Sequence, residues 1–221
     1  MTELFDTRVS NQQYLDALSE TIYMVGISLF LGCLIGIPIG VVLVLTRKGG
    51  LRPNAVIYNV LNVVVNIVRS LPFVILMVAI VPVTRFISGT SIGTTAALVP
   101  LTIYIAPFIG RLIENSLLEV PVGILEAAAS MGASLWQTIR YFLLPEAKSS
   151  IILAMTTACV GLIGATAMAG VIGGGGVGDL AISYGYQQFD TVAMVATVVI
   201  LIIVVQGIQS LGNWLAARSR H

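Results

Sequence analysis

The sequence carries very little charge. Of its 221 residues, 10% are charged and 57% are hydrophobic, whereas an average soluble domain carries about 25% charged residues. So little charge cannot coat a water-facing surface, which excludes an ordinary soluble domain and predicts an integral membrane protein. The net charge is only +1 and the basic residues are scattered, so we expect no nucleic-acid binding.

Histidine and cysteine are equally scarce. The single histidine is His221, the last residue, which excludes Ser–His and Cys–His dyads and a histidine-based metal site. Cys33 and Cys159 lie in apolar stretches, where a thiol behaves as a small hydrophobe. Their spacing indicates neither a disulfide framework nor a zinc site. We therefore expect no bound metal, and the absence of a catalytic constellation disfavours a membrane enzyme.

Long apolar stretches make up most of the chain. A membrane-spanning helix needs about 20 mainly apolar residues, and five stretches reach that length, near 20–46, 58–84, 92–111, 149–171 and 191–213. The second is interrupted by Arg69 and Pro72. It is either one kinked helix, or a helix in the membrane plane up to Arg69 followed by a span from Pro72. The prediction is one all-α membrane domain over residues 1–221.

The basic residues predict how the chain is oriented, because cytoplasmic loops are enriched in Lys and Arg. Five spans put the termini on opposite faces. One face then holds only Arg8 and Arg85. The other holds Arg47, Lys48, Arg52, Arg111, Arg140, Lys148, Arg218 and Arg220. We therefore expect the N-terminus outside, and the C-terminus and the long 112–148 loop in the cytoplasm.

Two patterns inside the spans predict helix contacts. Small residues recur every four positions in the first span, at Ser28, Gly32, Gly36 and Gly40, a spacing that lets another helix approach closely.

A polar stripe marks the second segment. Its members recur at three- and four-residue steps and are Asn59, Asn62, Asn66 and Arg69. Such a stripe faces the bundle interior or a wet cavity rather than lipid. Two interpretations stay open: hydrogen bonding between helices, or the lining of a translocation path by Asn62, Asn66 and Arg69.

The carboxylates avoid the predicted spans. All ten fall in loops, at span ends or in the terminal tail: Glu3, Asp6, Asp16, Glu20, Glu114, Glu119, Glu126, Glu146, Asp179 and Asp190. Proton-driven carriers usually place a carboxylate within the membrane. The pattern therefore disfavours a secondary carrier, although the five spans alone would permit one, or a small channel.

A glycine run resembles a nucleotide-binding motif in spacing only. Gly173, Gly175 and Gly178 satisfy G-x-G-x-x-G, but that motif needs a preceding strand and a cytosolic setting. Here the run follows a predicted span on the outer face. We predict a turn or re-entrant loop, and we expect any ATP hydrolysis to come from another polypeptide.

The 112–148 loop has its own predicted structure. From Glu119 it reads EVPVGILEAAASMGASLWQTIRYFLLPEA. Pro121 suits the first position of a helix and Gly132 suits its end. Ser134 with Gln137 forms a capping-box pattern for a second helix, which we expect to stop before Pro145.

This loop resembles the "EAA" loop of ABC importer permeases. The resemblance rests on Glu126-Ala127-Ala128, on Gly132, and on Phe142-Leu143-Leu144-Pro145, where the family form has Ile at the position of Phe142. The resemblance implies a type I ABC importer permease fold, with a coupling helix between spans three and four that docks on an ATPase. The docking residues it implies are Glu126, Ala127, Ala128, Gly132, Leu144 and Pro145.

Further segments resemble the methionine importer permeases. They are 66–73 (NIVRSLPF), 89–93 (GTSIG), 106–109 (APFI) and the glycine run 173–178. The resemblance implies an inner-membrane homodimer, two cytoplasmic ATP-binding subunits that bind the ATP, and an external substrate-binding protein. A path without an intramembrane carboxylate suits a zwitterion such as D- or L-methionine. A permease for polar amino acids, which share an Arg-x-x-Pro in this segment, is the alternative.

Overall fold

The computed structural model describes residues 7–219, and every regular element in that range is helical. The sequence-based expectations for Glu3, Asp6, Arg220 and His221 fall outside the described residues. The helices are α1 Asn11–Thr46, α2 Ala55–Ser70, α3 Phe73–Ala79, α4 Val81–Ser88, α5 Thr94–Leu118, α6 Val122–Ser130, α7 Leu135–Gln137, π1 Thr138–Leu143, α8 Leu144–Glu146, α9 Lys148–Gly170, α10 Gly176–Leu180, π2 Ala181–Tyr186 and α11 Thr191–Arg218.

Four of the helices in residues 7–219 are long and apolar enough to cross a membrane: α1, α5, α9 and α11. A fifth crossing is available if α2 and α3 are counted as one broken span. The all-α prediction with about five spans is therefore confirmed.

The second predicted span, 58–84, is not one kinked helix. α2 and α3 meet at an angle of 104°, and α3 ends at Ala79, before α4 begins at Val81. Pro72 explains the first break, because proline disfavours helical angles at the preceding residue, and Leu71 is extended. The alternative of a break at Arg69–Pro72 places the bend where the structure has it, and the chain after Pro72 is divided into α3, of 7 residues, and α4.

α1 and α5 form the centre of the molecule and run parallel. Gly32 of α1 lies against Ile105, Gly36 against Ala106, and Gly40 against Gly110. A Cβ atom built on Gly40 would fall 2.5 Å from the Gly110 carbonyl oxygen, so the helix backbones approach as closely as the predicted small-residue ridge allows. The apolar core continues along α5 through buried Leu101, Ile105, Ile109, Ile113 and Leu117.

The bundle has two distinct ends. α9 and α11 are antiparallel, because Ser149 Oγ donates to the Ala216 carbonyl at one end. That end, here called the loop end, also holds the C-termini of α1 and α5 and the segment 119–147. Seven basic residues of the described chain lie on the helices and connections at this end: Arg47, Lys48, Arg52, Arg111, Arg140, Lys148 and Arg218.

The opposite end holds the glycine run, which forms a turn as the sequence predicts. A helix, α9, precedes the run, and the five-residue α10 begins within it, at Gly176. The Gly176 N–H donates to Glu20 Oε2 at 2.7 Å and the Val177 N–H to Thr21 Oγ1 at 2.9 Å. The run is therefore tied to α1.

The chain before α1 is also fastened at this end. Asp190 caps α11 by accepting from the Ala193 N–H at 2.8 Å, and its other oxygen accepts from the Arg8 N–H at 2.9 Å. These backbone hydrogen bonds hold the pKa of Asp190 below its ordinary value. The segment in front of α1 is thus linked to the start of α11.

Candidate functional site

The glutamate-alanine-alanine segment lies on α6, a nine-residue helix at the loop end. Pro121 directly precedes the helix, one position earlier than predicted. Glu126 and Ala127 are exposed, whereas Ala128 is fully buried. The Ala128 carbonyl also accepts from the Ala133 N–H at 3.1 Å. α6 therefore has two faces: one is exposed, and the other is packed against the rest of the chain.

The turn after α6 depends on Gly132. Its φ is +70°, and no atom lies within 4 Å of a Cβ built there. A left-handed conformation is readily adopted by glycine and strained in a residue with a side chain. Gly132 is exposed, so the turn lies open beside the exposed face of α6.

The second loop helix begins as predicted and ends differently. Ser134 and Gln137 form the capping box in both directions. The prediction that this helix stops before Pro145 is wrong, since the chain stays helical through π1 and α8 to Glu146. A wider π turn directly before the proline accommodates a residue that cannot donate to the preceding turn. Leu144 is half-buried and Pro145 is exposed.

Several large apolar side chains on α6 and in the segment that follows it are exposed, and the sequence analysis did not single them out. Each is exposed by roughly two thirds, and they are Val122, Met131, Trp136 and Tyr141. Exposed tryptophan, tyrosine and methionine are typical of protein interfaces. Tryptophan, tyrosine and methionine in a connection outside the predicted spans were the signal in the sequence.

The polar stripe of α2 meets an arginine of α5. Arg111 donates to Asn62 Oδ1 at 2.6 Å and to Asn66 Oδ1 at 3.0 Å. Asn62 is half-buried, while Asn66 and Arg69 are exposed. Hydrogen bonding between helices, one of the two interpretations of the stripe, describes the contact made by the two asparagines.

Arg69 lies one turn further along α2 and contacts a different residue of α5. Its guanidinium sits 5.8 Å from the centre of the Phe108 ring, a cation–π contact. Phe108 stacks on Tyr104 with centroids 6.5 Å apart, and Tyr104 meets Phe73 of α3 edge to face at 5.2 Å. One face of α5 therefore contacts both α2 and α3.

Glu114 corrects the assignment of every carboxylate to loops, span ends or the tail. The sequence analysis ended the third span at residue 111, but α5 continues to Leu118 and buries Glu114 to 3% exposure. Its carboxylate pairs with Arg111, three residues earlier. The ion pair offsets the cost of burying the Glu114 carboxylate. The sequence analysis ended the span at the first charged residue of this pair, and therefore ended the helix too early. The i, i+3 spacing was the available signal.

Within residues 7–219, no group of three His, Cys, Asp or Glu residues is placed to hold a metal ion. The candidate site therefore consists of the exposed side of α6 with its turn, and the polar face between α2 and α5.

Comparison with protein families assigns the chain. A family model described as the inner membrane component of binding-protein-dependent transport systems matches residues 15–221. The chain belongs to this family. It is accordingly a transport permease component and a multi-pass inner membrane protein, and the apolar helices α1, α5, α9 and α11 agree with that.

Relatives within the family are close. A probable D-methionine transport system permease protein of Vibrio cholerae is 54% identical over 207 residues, 94% of this chain and 92% of that protein. Its counterpart in Haemophilus influenzae is 46% identical over 206 residues, 93% of this chain and 96% of that one. The D-methionine permease protein of Escherichia coli K12 is 49% identical over 151 residues, 68% of this chain and 70% of that one.

Solved structures agree with the fold of this family member. A chain of the MetNI methionine ABC transporter in an inward-facing conformation superposes with a TM-score of 0.94 at 42% identity, covering 96% of this chain and all of that one. A chain of an amino acid ABC transporter solved with histidines gives a TM-score of 0.77 at 18% identity, covering 94% of each chain. The latter likeness concerns the fold alone.

Proposed function

We propose that this inner membrane component is the permease subunit of an ATP-driven importer for methionine, as the D isomer, the L isomer or both. The observation that carries the proposal is the match to the MetNI permease chain along 96% of this chain at 42% identity. The D-methionine permease relatives support the same substrate.

The proposed complex contains two copies of this chain, two cytoplasmic ATP-binding subunits and an external substrate-binding protein. The family's dependence on binding proteins supports the last of these. ATP is bound by the partner subunits. Purified permease without its partners should therefore give no saturable nucleotide labelling, and labelling at the glycine run would contradict this.

α6 is the coupling helix in this proposal, and it docks on the ATP-binding subunit through its open side. Glu126 and Ala127 face outward, and the turn at Gly132 leaves space for a partner surface. Ala128, buried in this chain, packs the opposite face of the helix against the rest of the permease. Leu144 and Pro145 complete the docking region implied by the family resemblance.

The translocation path in this proposal runs beside α2, along Asn62, Asn66 and Arg69. Exposed Asn66 and Arg69 offer polar groups to a zwitterion. Glu114 lies within the span region, but Arg111 already neutralises it, so it offers no free negative charge to a cationic amino acid. That supports methionine over lysine, arginine or histidine.

The loop end faces the cytoplasm in this proposal, because seven described basic residues cluster there and positive charge favours that side. The outward apolar side chains of α11, among them Val195, Val199 and Ile203, contact lipid. Reporter fusions at the C-terminus and in the 112–147 loop should both report cytoplasm. A periplasmic reading in that loop would contradict the orientation and the docking together.

The deciding experiment is uptake of labelled methionine by cells that lack their own methionine importers. The cells receive this chain with the ATP-binding subunit and the binding protein encoded beside it, and matched cells receive the two partners alone. We expect uptake only with the complete set. Accumulation of histidine or glutamine without methionine would indicate a permease for polar amino acids, and uptake without the ATP-binding subunit would indicate a secondary carrier.

A further inference from the structure

α2 carries the polar stripe, yet its own chain packs it poorly. Of its 16 residues only Val65 is buried. Large apolar side chains of the same helix, including Val56, Val60 and Ile67, are exposed. Apolar packing within this chain therefore contributes little to fixing the position of α2.

Arg111 supplies the strongest polar contact between α2 and the bundle. One guanidinium nitrogen donates to both Asn62 and Asn66, and the other donates to Glu114. Hydrogen bonds from a charged donor are stronger than neutral ones. Asn62 and Asn66 are one helical turn apart, so a single planar group holds two successive turns of α2.

Glu114 orients that guanidinium. The Glu114 side chain is 4% exposed and the Arg111 side chain 17%, and both lie on α5. Since both residues of the ion pair lie on α5, the orientation of the Arg111 guanidinium does not depend on α2. The arrangement is that of a preorganised donor rather than a flexible surface pair.

Arg111 also stands close to the coupling helix in the chain. It lies in the last two turns of α5, which ends at Leu118, and only residues 119–121 separate that end from α6. Ser150 of α9 donates to Glu119 Oε2 at 2.6 Å and braces this connection. A displacement of α6 therefore reaches Arg111 through a short, braced link and a continuous helix.

The same face of α5 continues past the bend between α2 and α3. Tyr104, Phe108 and Arg111 follow the i, i+4, i+7 spacing of one helix face. Arg111 and Phe108 contact α2, while Tyr104 contacts Phe73 of α3. This face of α5 therefore contacts both α2 and α3, but of these three residues only Arg111 forms hydrogen bonds to α2.

We propose that Arg111 is a positioning residue for transport. It fastens α2, which carries the polar stripe, to the end of α5 that leads into α6, so that a displacement of α6 moves α2 with it. This inference rests on the proposed function as a permease driven by an ATP-binding subunit.

The test uses the complete complex in proteoliposomes and measures methionine taken up per ATP hydrolysed. Arg111→Lys keeps the charge beside Glu114 but loses the planar fork that reaches two asparagines. Losing one hydrogen bond to a charged group changes an equilibrium constant by about tenfold or more, so we expect a comparable fall in uptake per ATP. The double variant Asn62→Ala/Asn66→Ala leaves the ion pair intact and should fall to a similar extent.

Asn59→Ala is the matched control, because Asn59 is an exposed amide of the same helix, outside the Arg111 contact. It should keep wild-type uptake per ATP. Wild-type behaviour of Arg111→Lys would overturn the inference. An equal loss in Asn59→Ala would also overturn it, since the stripe would then act as a path lining rather than as an attachment.

A distance measurement separates this inference from the choice of substrate. Spin labels at Val60→Cys on α2 and Leu118→Cys at the end of α5, with Cys33 and Cys159 replaced by alanine, report how firmly the two helices are joined. The distance distribution should stay narrow on ATP addition with native Arg111 and broaden with Arg111→Lys. A distribution that Arg111→Lys leaves unchanged would refute the inference. Failure of methionine uptake with an intact distance response would refute only the substrate.

Discussion

Two helices contact α5 in opposite ways. α1 meets it through Gly32, Gly36 and Gly40, with backbone lying against backbone. α2 meets it through the hydrogen bonds of Arg111 to two asparagines and through Arg69 over Phe108, and buries only Val65. In a membrane the hydrophobic effect does not drive helices together, so association comes either from close packing or from polar bonds. This chain uses each mechanism on a different side of the same helix.

The difference has a mechanical consequence. A close-packed glycine interface has many small contacts and no single replaceable one, so α1 and α5 are expected to behave as one body. The α2 contact depends on a few directional bonds that a small displacement breaks. The comparison therefore separates a fixed pair of helices from an adjustable one.

The largest effect is expected on the polar side. Arg111→Met leaves Glu114 buried without a partner, which should lower the free energy of unfolding by about 4 kcal/mol. Thermal denaturation of the detergent-solubilised protein measures this. Arg111→Met combined with Glu114→Met removes both charges and should recover most of the loss. Equal stability of Arg111→Met and the wild type would mean that the polar contact of Arg111 does not stabilise the packing of α2 on α5.

The glycine side should respond to added volume instead. The side chain of Gly40→Val would meet the Gly110 carbonyl and Ile113, at 2.5 and 2.7 Å from the new Cβ, so the helices must separate. We expect a loss of about 3 kcal/mol, measured as a lower Tm and a lower yield of folded protein. Gly26→Val is the control on the same helix, because nothing lies within 4 Å of a Cβ there. Similar losses in both variants would remove the distinction between the two sides.

Gly132 tests a glycine required for its backbone angle rather than for space. Gly132→Val meets no neighbour, but a β-branched residue at φ +70° should cost roughly 2 kcal/mol in the turn. Copurification of the ATP-binding subunit and transport should fall while membrane insertion persists. Gly123→Val, in the same helix–turn and equally open, should have little effect. Normal transport in Gly132→Val would contradict the proposed docking surface.

The smallest effect concerns a buried carboxylate that has backbone partners instead of an arginine. Asp190→Ala removes the cap of α11 and should lower stability by about 1 kcal/mol. The pKa of Asp190 is depressed in the folded state, so its stabilisation is fully present above the unfolded pKa of about 3.9 and is lost as pH falls through the folded pKa. The stability gap between wild type and variant should therefore narrow in acid. A gap independent of pH would contradict the role of the charge.

Local patterns in the sequence predicted local features well. The Ser134–Gln137 capping box forms as predicted, because a helix cap involves residues three apart and needs no distant partner. The small-residue ridge on α1 was also predictable as a contact face, since its spacing alone places the residues in line. The break near Pro72 follows from the geometry of proline itself.

Other features depended on partners that lie far away in the chain. The helix ends at Leu118 rather than at residue 111 because Glu114 is neutralised by Arg111, and the arginine is satisfied by Asn62 and Asn66, 49 and 45 residues earlier. The helix through Pro145 persists because a π turn precedes it. Ala128 faces inward because α6 folds back on the loop, which its alanine-rich sequence does not indicate.

The sequence by itself determined a membrane protein of about five spans, a contact ridge on the first span and a helical loop with a capped second half. Each follows from composition or from residues within a few positions of one another. Only the tertiary structure decided which helix meets the ridge, which groups satisfy the polar stripe and which alanines of α6 remain open. Those outcomes depend on which distant side chains come within hydrogen-bond or van der Waals distance, and spacing along one helix carries no information about its partner.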